Sequence, residues 1–256
     1  MDQMQDSSHN QSQASLKKPR WISHRGLKEN ATENTLRAFR DAVAQGYQDL
    51  ETDLRLTSDG KIVLSHDRNL ERLTGKRIWI NKSTADELKS IRYSDGQSIL
   101  FFTDFIEQFA GQNWIFDVKA EDGVRTLKAL GDWIDANHSA PWLMSQGRFL
   151  FWSREHQTQW LQRYPEAVCM AREVECLRAG LATRFHIPFA SGLLPGKTYA
   201  ISYEYAGLRF LTKEMVTNYH RKGAKVLAYL PKTLVEIQAA KDAGVDEILC
   251  DGPIVF

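Results

Sequence analysis

From position 21 onward, short apolar runs alternate with amphipathic stretches that close on glycine, the pattern of a parallel sheet whose strands are joined by helices. The runs predict strands at Trp21–His24, Gln48–Leu54, Ile62–Ser65, Trp114–Lys119, Phe149–Trp152, Ala167–Met170, Ala200–Tyr203, Lys225–Tyr229 and Glu247–Cys250. Three intervening helices have readable ends. The first runs from Glu33 to Gln45 and stops at Gly46. The second, Thr84 to Ile91, opens with Thr84-x-x-Glu87. The third, Thr233 to Ala243, opens with Thr233-x-x-Glu236 and stops at Gly244. Threonine followed three positions later by glutamate satisfies free N–H groups at a helix start, and glycine takes the left-handed backbone that ends one.

Ile62–Ser65 breaks the alternation. Only Thr57-Ser58-Asp59-Gly60 separates it from the preceding strand, whereas a parallel crossover needs a dozen or more residues. It must return antiparallel. A turn centred near Asp59-Gly60 pairs positions summing to roughly 119, which sets His66 about opposite Asp53. The other eight strands predict an α/β fold, a single (β/α)8 TIM barrel over 20–256 with a β-hairpin after the second strand. Phe256 follows closely on Asp251-Gly252-Pro253, so a truncated or absent last helix is expected. Residues 1–19, rich in Gln, Ser, Asn and Asp, are expected to form a polar tail with little fixed structure.

Composition narrows the chemistry. The 256 residues are 43% hydrophobic, enough for one large core. Lys and Arg number 33 against 32 Asp and Glu, which leaves no basic field for nucleic acid, so any phosphate must be held locally. Cys169, Cys176 and Cys250 are too few and scattered for a disulfide framework and read as reduced thiols. The first residues lack the apolar core of a signal peptide, and no run of 18 apolar residues predicts a transmembrane segment. A cytoplasmic protein is the expectation.

Against that neutral background, ionisable groups gather at strand ends. His24 and Arg25 close the first strand, with Gly26 letting the chain turn away. Glu51 and Asp53 lie two apart on a strand and so share one face. If that face is the barrel interior, two adjacent carboxylates repel unless they share a proton or a metal ion. The other register would turn both outward, and Leu50, Leu54 and Leu56 do not decide it because barrel strands are covered on both sides. Asp117 and Lys119 repeat the spacing, as a further oxygen ligand with a cation or as a plain ion pair. Carboxyl ends of barrel strands are where catalysis sits, and two histidines near a metal suit acid–base work on a phosphodiester.

These residues carry a resemblance. His24-Arg25-Gly26, Glu33-Asn34-Thr35, Glu51-x-Asp53, Thr57-x-Asp59-Gly60 and Val63-x-x-His66-Asp67 resemble the glycerophosphodiester phosphodiesterase family, a barrel related to the phosphatidylinositol-phospholipase-C-like phosphodiesterases. Arg72-Leu73-Thr74-Gly75, Thr84–Leu88, and Gly244-Val245-Asp246 with Cys250-Asp251-Gly252-Pro253 extend it to the C-terminus. The resemblance implies hydrolysis of small-molecule glycerophosphodiesters to glycerol 3-phosphate and an alcohol, with a place in lipid and glycerol metabolism. It implies His24 and His66 as acid and base, without saying which is which. Glu51, Asp53 and Asp117 become ligands of one divalent cation, Mg2+ or Ca2+, with Mn2+ a further choice. Arg25 and Lys119 become phosphate holders, and Tyr229 and Trp152 walls of the substrate pocket.

The chain also departs from the family. Asp117 stands where the family has Glu, and Tyr229-Leu230-Pro231-Lys232 stands where it has Trp-Thr-x-Asn. The alternatives are a lysophospholipase D-like or phospholipase C-like enzyme, or an inactive barrel that binds a phosphate ligand.

Overall fold

The structure, a computed structural model, describes residues 18–255. The polar tail over 1–17 lies outside the described residues. In chain order the strands are β1 (Arg20–His24), β2 (Asp49–Leu56), β3 (Ile62–Leu64), β4 (Leu100–Phe101), β5 (Asn113–Val118), β6 (Gly147–Phe151), β7 (Val168–Cys169), β8 (Thr198–Ser202), β9 (Glu204–Tyr205), β10 (Leu208–Arg209), β11 (Lys225–Tyr229) and β12 (Glu247–Cys250). The helices are α1 (Leu36–Ala44), α2 (Glu71–Thr74), α3 (Ala85–Lys89), α4 (Phe102–Gln108), α5 (Gly123–Ala136), α6 (Ala140–Gln146), α7 (Arg154–Arg163), α8 (Glu173–Arg184), α9 (Lys213–Arg221) and α10 (Leu234–Ala243).

Eight strands pair in parallel in the order β7-β6-β5-β2-β1-β12-β11-β8 and form a curled sheet, the wall of a barrel. Between the outer strands β7 and β8 no ladder forms among the described residues, and the Ala171 N–H bridges the seam to the Thr198 carbonyl at 2.9 Å. The two-residue period of a strand then sorts the side chains. β5 sends Trp114 and Phe116 into the core beneath the helices, with Phe39, Phe149 and Trp160, and sends Ile115 inward to join Ile22, Met170, Leu227 and Leu249. β2 places Leu50 and Leu54 in the outer core, so Glu51 and Asp53 face the interior. The register left open by the sequence is thereby settled.

The second strand does return as a hairpin, with one correction. Its pairs Leu54↔Leu64, Arg55↔Val63 and Leu56↔Ile62 sum to 118, so Ser65, not His66, stands opposite Asp53. The cause is the loop: Thr57 pairs with Lys61, and three residues span the turn, with Gly60 at φ 80° closing it. A satellite core of Val63, Leu70, Ile80, Leu88 and Phe101 packs under β3, β4 and the short helices between them.

The predicted caps hold with local differences. Thr84 and Glu87 form the reciprocal capping box of α3. Thr233 accepts the Glu236 N–H, but the Glu236 carboxylate accepts from the Lys232 N–H instead. Helix α1 begins at Leu36 rather than Glu33, because Asn34 takes a left-handed backbone with φ 55° and Thr35 is the cap. The strand run at Ala167–Met170 shortens to β7, and the hairpin β9–β10 is an addition to the predicted elements. After β12, residues 251–255 carry no helix.

Candidate active site

Strand register brings the acidic groups together. Asp53 on β2 is paired with Asp117 on β5, and His24 on β1 with Glu51. Because Glu51 and Asp53 share a face, one oxygen from each of Glu51, Asp53 and Asp117 lies within 4.8 Å of the other two. Immediately after His24, Arg25 adopts φ 62° and Gly26 φ 82°, turning the chain over the mouth. A Cβ on Gly26 would come within 2.5 Å of the Ala38 backbone, so this approach of loop to helix requires glycine.

Cations thread between the acids. Lys119 Nζ lies 2.7 Å from Asp53 Oδ1 and 2.5 Å from Asp117 Oδ2, and Arg25 Nε lies 2.8 Å from Asp53 Oδ2. The Asn34 amide also donates to Asp53 Oδ2, and Trp152 Nε1 donates to Asp117 Oδ1 at 2.7 Å. Burial opposes charge on Asp53, yet Lys119 and Arg25 overcome it and hold the carboxyl down to about 2. Three carboxylates thus face two cations, and the uncompensated charge falls on Glu51. Its Oε2 is buried without a hydrogen-bond partner, and burial together with Asp53 pushes its pKa well above the usual carboxylate range. Converging oxygen donors with one orphaned, unneutralised oxygen fit a hard divalent cation.

Both histidines border the same cavity as this cluster. His24 is buried, with Nδ1 at 2.5 Å from Asp251 Oδ1 and Nε2 at 3.8 Å from Glu51 Oε2. Burial lowers its pKa, partly offset by the bond to Asp251. Asp251, also bonded to Lys28, is itself held far below the usual range by those two partners against the cost of burial. His66 is half-exposed; Arg55 Nε and Nη2 grip its carbonyl at 3.0 and 2.6 Å, and its Nδ1 faces Asp67 Oδ1 at 2.8 Å. From Asp67 a file of ion pairs returns to the cluster through Arg72 (2.6 Å), Glu33 (2.6 Å) and Arg25 (3.4 Å).

Every residue singled out from the sequence therefore lies at one mouth. Trp152 reaches Asp117 directly, and Tyr229 borders the same cavity. Sequence reasoning missed the supporting set of Asp251, Asn34, Glu33, Arg72 and Arg55. All but Arg55 fall inside the motif stretches, which was the available signal. The cavity at this mouth, of about 300 Å³, has two unlike halves. His24, Arg25, Glu51, Asp117 and Lys119 form the charged half. Ala171, Leu177, Ala200, Ile201 and Phe210 form an apolar half over a floor of Ile115, Met170, Leu227 and Leu249.

Comparisons with known proteins place the chain in a family and a fold. The model of the glycerophosphoryl diester phosphodiesterase family matches residues 24–162. A glycerophosphodiester phosphodiesterase of Caldanaerobacter subterraneus subsp. tengcongensis is 28% identical over 110 residues, 40% of this chain and 45% of that protein. Lysophospholipase D GDPD1 of Rattus norvegicus is 48% identical over 62 residues, 24% of this chain and 20% of that protein. The matched stretches thus span less than half the length of these curated relatives. Among solved structures, the glycerophosphoryl diester phosphodiesterase domain of a Mycobacterium tuberculosis protein aligns with a TM-score of 0.75 at 16% identity, over 93% of this chain and 97% of that one. An Oleispira antarctica phosphodiesterase in complex with the product sn-glycerol-3-phosphate aligns at 0.70 with 22% identity, over 92% and 94%. These likenesses show the shared barrel fold.

Proposed function

Because the chain belongs to the glycerophosphoryl diester phosphodiesterase family, we propose that it hydrolyses glycerophosphodiesters to glycerol 3-phosphate and an alcohol. The observation that carries the reading is the convergence of Glu51, Asp53 and Asp117 at the same mouth as His24 and His66. Glu51, Asp53 and Asp117 would hold one divalent cation, Mg2+ or Ca2+, which when bound polarises the phosphoryl oxygens. Arg25 and Lys119 border the cavity beside them and supply positive charge for the phosphate.

We assign the histidine roles from burial, which lowers the pKa of His24 and so favours its neutral ring, whereas His66 is half-exposed. Asp251 engages Nδ1 of His24 and so keeps the proton there, which leaves the Nε2 lone pair free to accept one. His24 is therefore the base that takes the proton of the substrate's glycerol 2-hydroxyl as its oxygen attacks phosphorus. His66, its Nδ1 facing Asp67, protonates the alcohol oxygen as the P–O bond to it breaks. Water then opens the cyclic phosphate with the two roles exchanged, yielding glycerol 3-phosphate. The proposed location is the cytoplasm, consistent with three free cysteines; no helix among the described residues is long and apolar enough to cross a membrane.

The test is release of choline from glycerophosphocholine with Mg2+ or Ca2+, with and without chelator. Absence of release with every metal, or full activity in a verified metal-free preparation, sinks the reading. A second reading, lysophospholipase D-like hydrolysis of a one-chain lipid, is favoured by one observation. Leu177, Ile201 and Phe210 line the cavity on the side away from the acids, where an acyl chain would lie. Retention of both histidines weighs against a barrel that only binds phosphate.

A further inference from the structure

Helix α8 is dressed in reverse. Its small residues Ala179, Gly180, Ala182 and Thr183 are buried, while Val174, Leu177 and Leu181 face solvent, Val174 at 71% exposure. Helices on globular proteins turn their large apolar side chains inward, since burying each is favourable by about 1.5–3 kcal/mol. Val174, Leu177, Leu181 and Phe185 follow one another at spacings of three, four and four, so they form a single stripe. Beyond the helix the stripe continues in Ile187 and in Phe189, which is 91% exposed. Hairpin β9–β10, whose following Phe210 lies against Gly180 of the helix, also presents Tyr205 and Leu208 to solvent.

The stripe is continuous with the apolar half of the mouth. Leu177 belongs to both, and Tyr205 on the hairpin also borders the cavity. A ligand whose phosphodiester reaches the acids and whose remainder runs through the apolar half would emerge onto this surface. We infer that α8 and hairpin β9–β10 form a docking face for a lipid bilayer surface, from which the site draws an amphiphilic phosphodiester. The inference rests on the proposed phosphodiesterase activity and extends the second reading of it. Flanking charges are mixed: Glu173, Glu204 and Glu214 stand against Arg178, Arg184, Arg209 and Lys213. Such a rim gives anionic lipid no advantage, so apolar contact carries the binding, and it should resist salt.

Flotation of the full chain with phosphatidylcholine vesicles tests this directly. The chain should float with the vesicles to the same extent at low and high salt, and Val174→Glu with Leu181→Glu should weaken binding by at least about tenfold. Thermal melting of the variant separates loss of the face from loss of the fold, and the single Val174→Glu, at the most exposed large apolar side chain of the helix, should still weaken binding several-fold. Failure of the wild-type chain to float, or equal flotation of folded variants, overturns the inference. So does a wild-type dimer in light scattering that the variants convert to monomer, because a second copy then covers the face. Choline release from glycerophosphocholine, which needs no lipid surface, is measured alongside. Turnover without flotation overturns the docking face alone, whereas flotation without turnover overturns the activity and leaves the face standing.

Discussion

The two halves of the mouth are built on opposite principles. In the charged half two of the three acids have several partners, Asp53 meeting Lys119, Arg25 and Asn34 and Asp117 meeting Lys119 and Trp152, while Glu51 keeps one buried oxygen without a hydrogen-bond partner. Desolvating so many charges costs several kcal/mol per ion before pairing, so this half is held for what it can bind rather than for stability. The apolar half has the reverse character. Ile115, Met170, Leu227 and Leu249 fill the barrel interior below it and stabilise the fold, and no side chain there must hold a particular proton. Specific geometry is thus concentrated in the ionisable residues of β1, β2 and β5, and cohesion in an apolar floor to which β5, β11 and β12 contribute, with Met170 just past β7.

That division can be broken by experiment. The largest effect is expected from the histidines: His24→Ala or His66→Ala should lower kcat by about 10²–10⁴-fold while the melting temperature holds. Near-normal turnover in either variant shows that its histidine is structural. On the apolar side, Leu227→Ala should cost about 2–5 kcal/mol of stability in urea unfolding, with metal affinity far less affected than by any change at the acids. Loss of metal binding in a variant that keeps its stability would mean that the halves are not separable.

Smaller changes sharpen the charged half. Asp117→Asn keeps the shape and removes a charge, so metal affinity should fall by roughly tenfold, whereas Asp117→Glu should be tolerated. Unchanged affinity in Asp117→Asn, by calorimetric titration, would leave Asp117 as the partner of Lys119 and Trp152 alone. The subtlest expectation concerns pH. Glu51 has a raised pKa in the metal-free site, so its proton competes with the cation, and affinity should climb as pH rises towards that value. Calorimetry in two buffers of different ionisation enthalpy reads the released proton, and identical heats would show that Glu51 was already ionised.

Much of this was legible because local pattern and strand period decide it. Period-two spacing put Glu51 with Asp53 and Asp117 with Lys119, and the capping signals located α3 and α10 within a residue or two. Side-chain contacts across long separations left no such trace. His24 meets Asp251 over 227 positions, and Glu33 meets Arg72 over 39. The register of His66 depended on whether two or three residues span the turn, which Asp59-Gly60 alone does not decide. Hairpin β9–β10 turns on Ala206-Gly207, both with positive φ, and alanine there gives none of the signal that asparagine or aspartate would.

Among the described residues, the seam between β7 and β8 is where the wall of the barrel is most thinly hydrogen-bonded. Strands in the middle of the sheet are tied on both sides, whereas β7 and β8 each have a ladder on one side and the Ala171–Thr198 bond across the gap. Local opening follows the sparsest hydrogen bonding, so amide protons of Thr198–Ser202 should exchange with solvent deuterium sooner than those of β1 and β12. Equal protection around the ring would show a barrel closed as firmly at the seam as elsewhere. Ala171 and Ala200, which border the apolar half, flank this seam, whereas the three carboxylates stand on β2 and β5, away from the thinnest part of the wall.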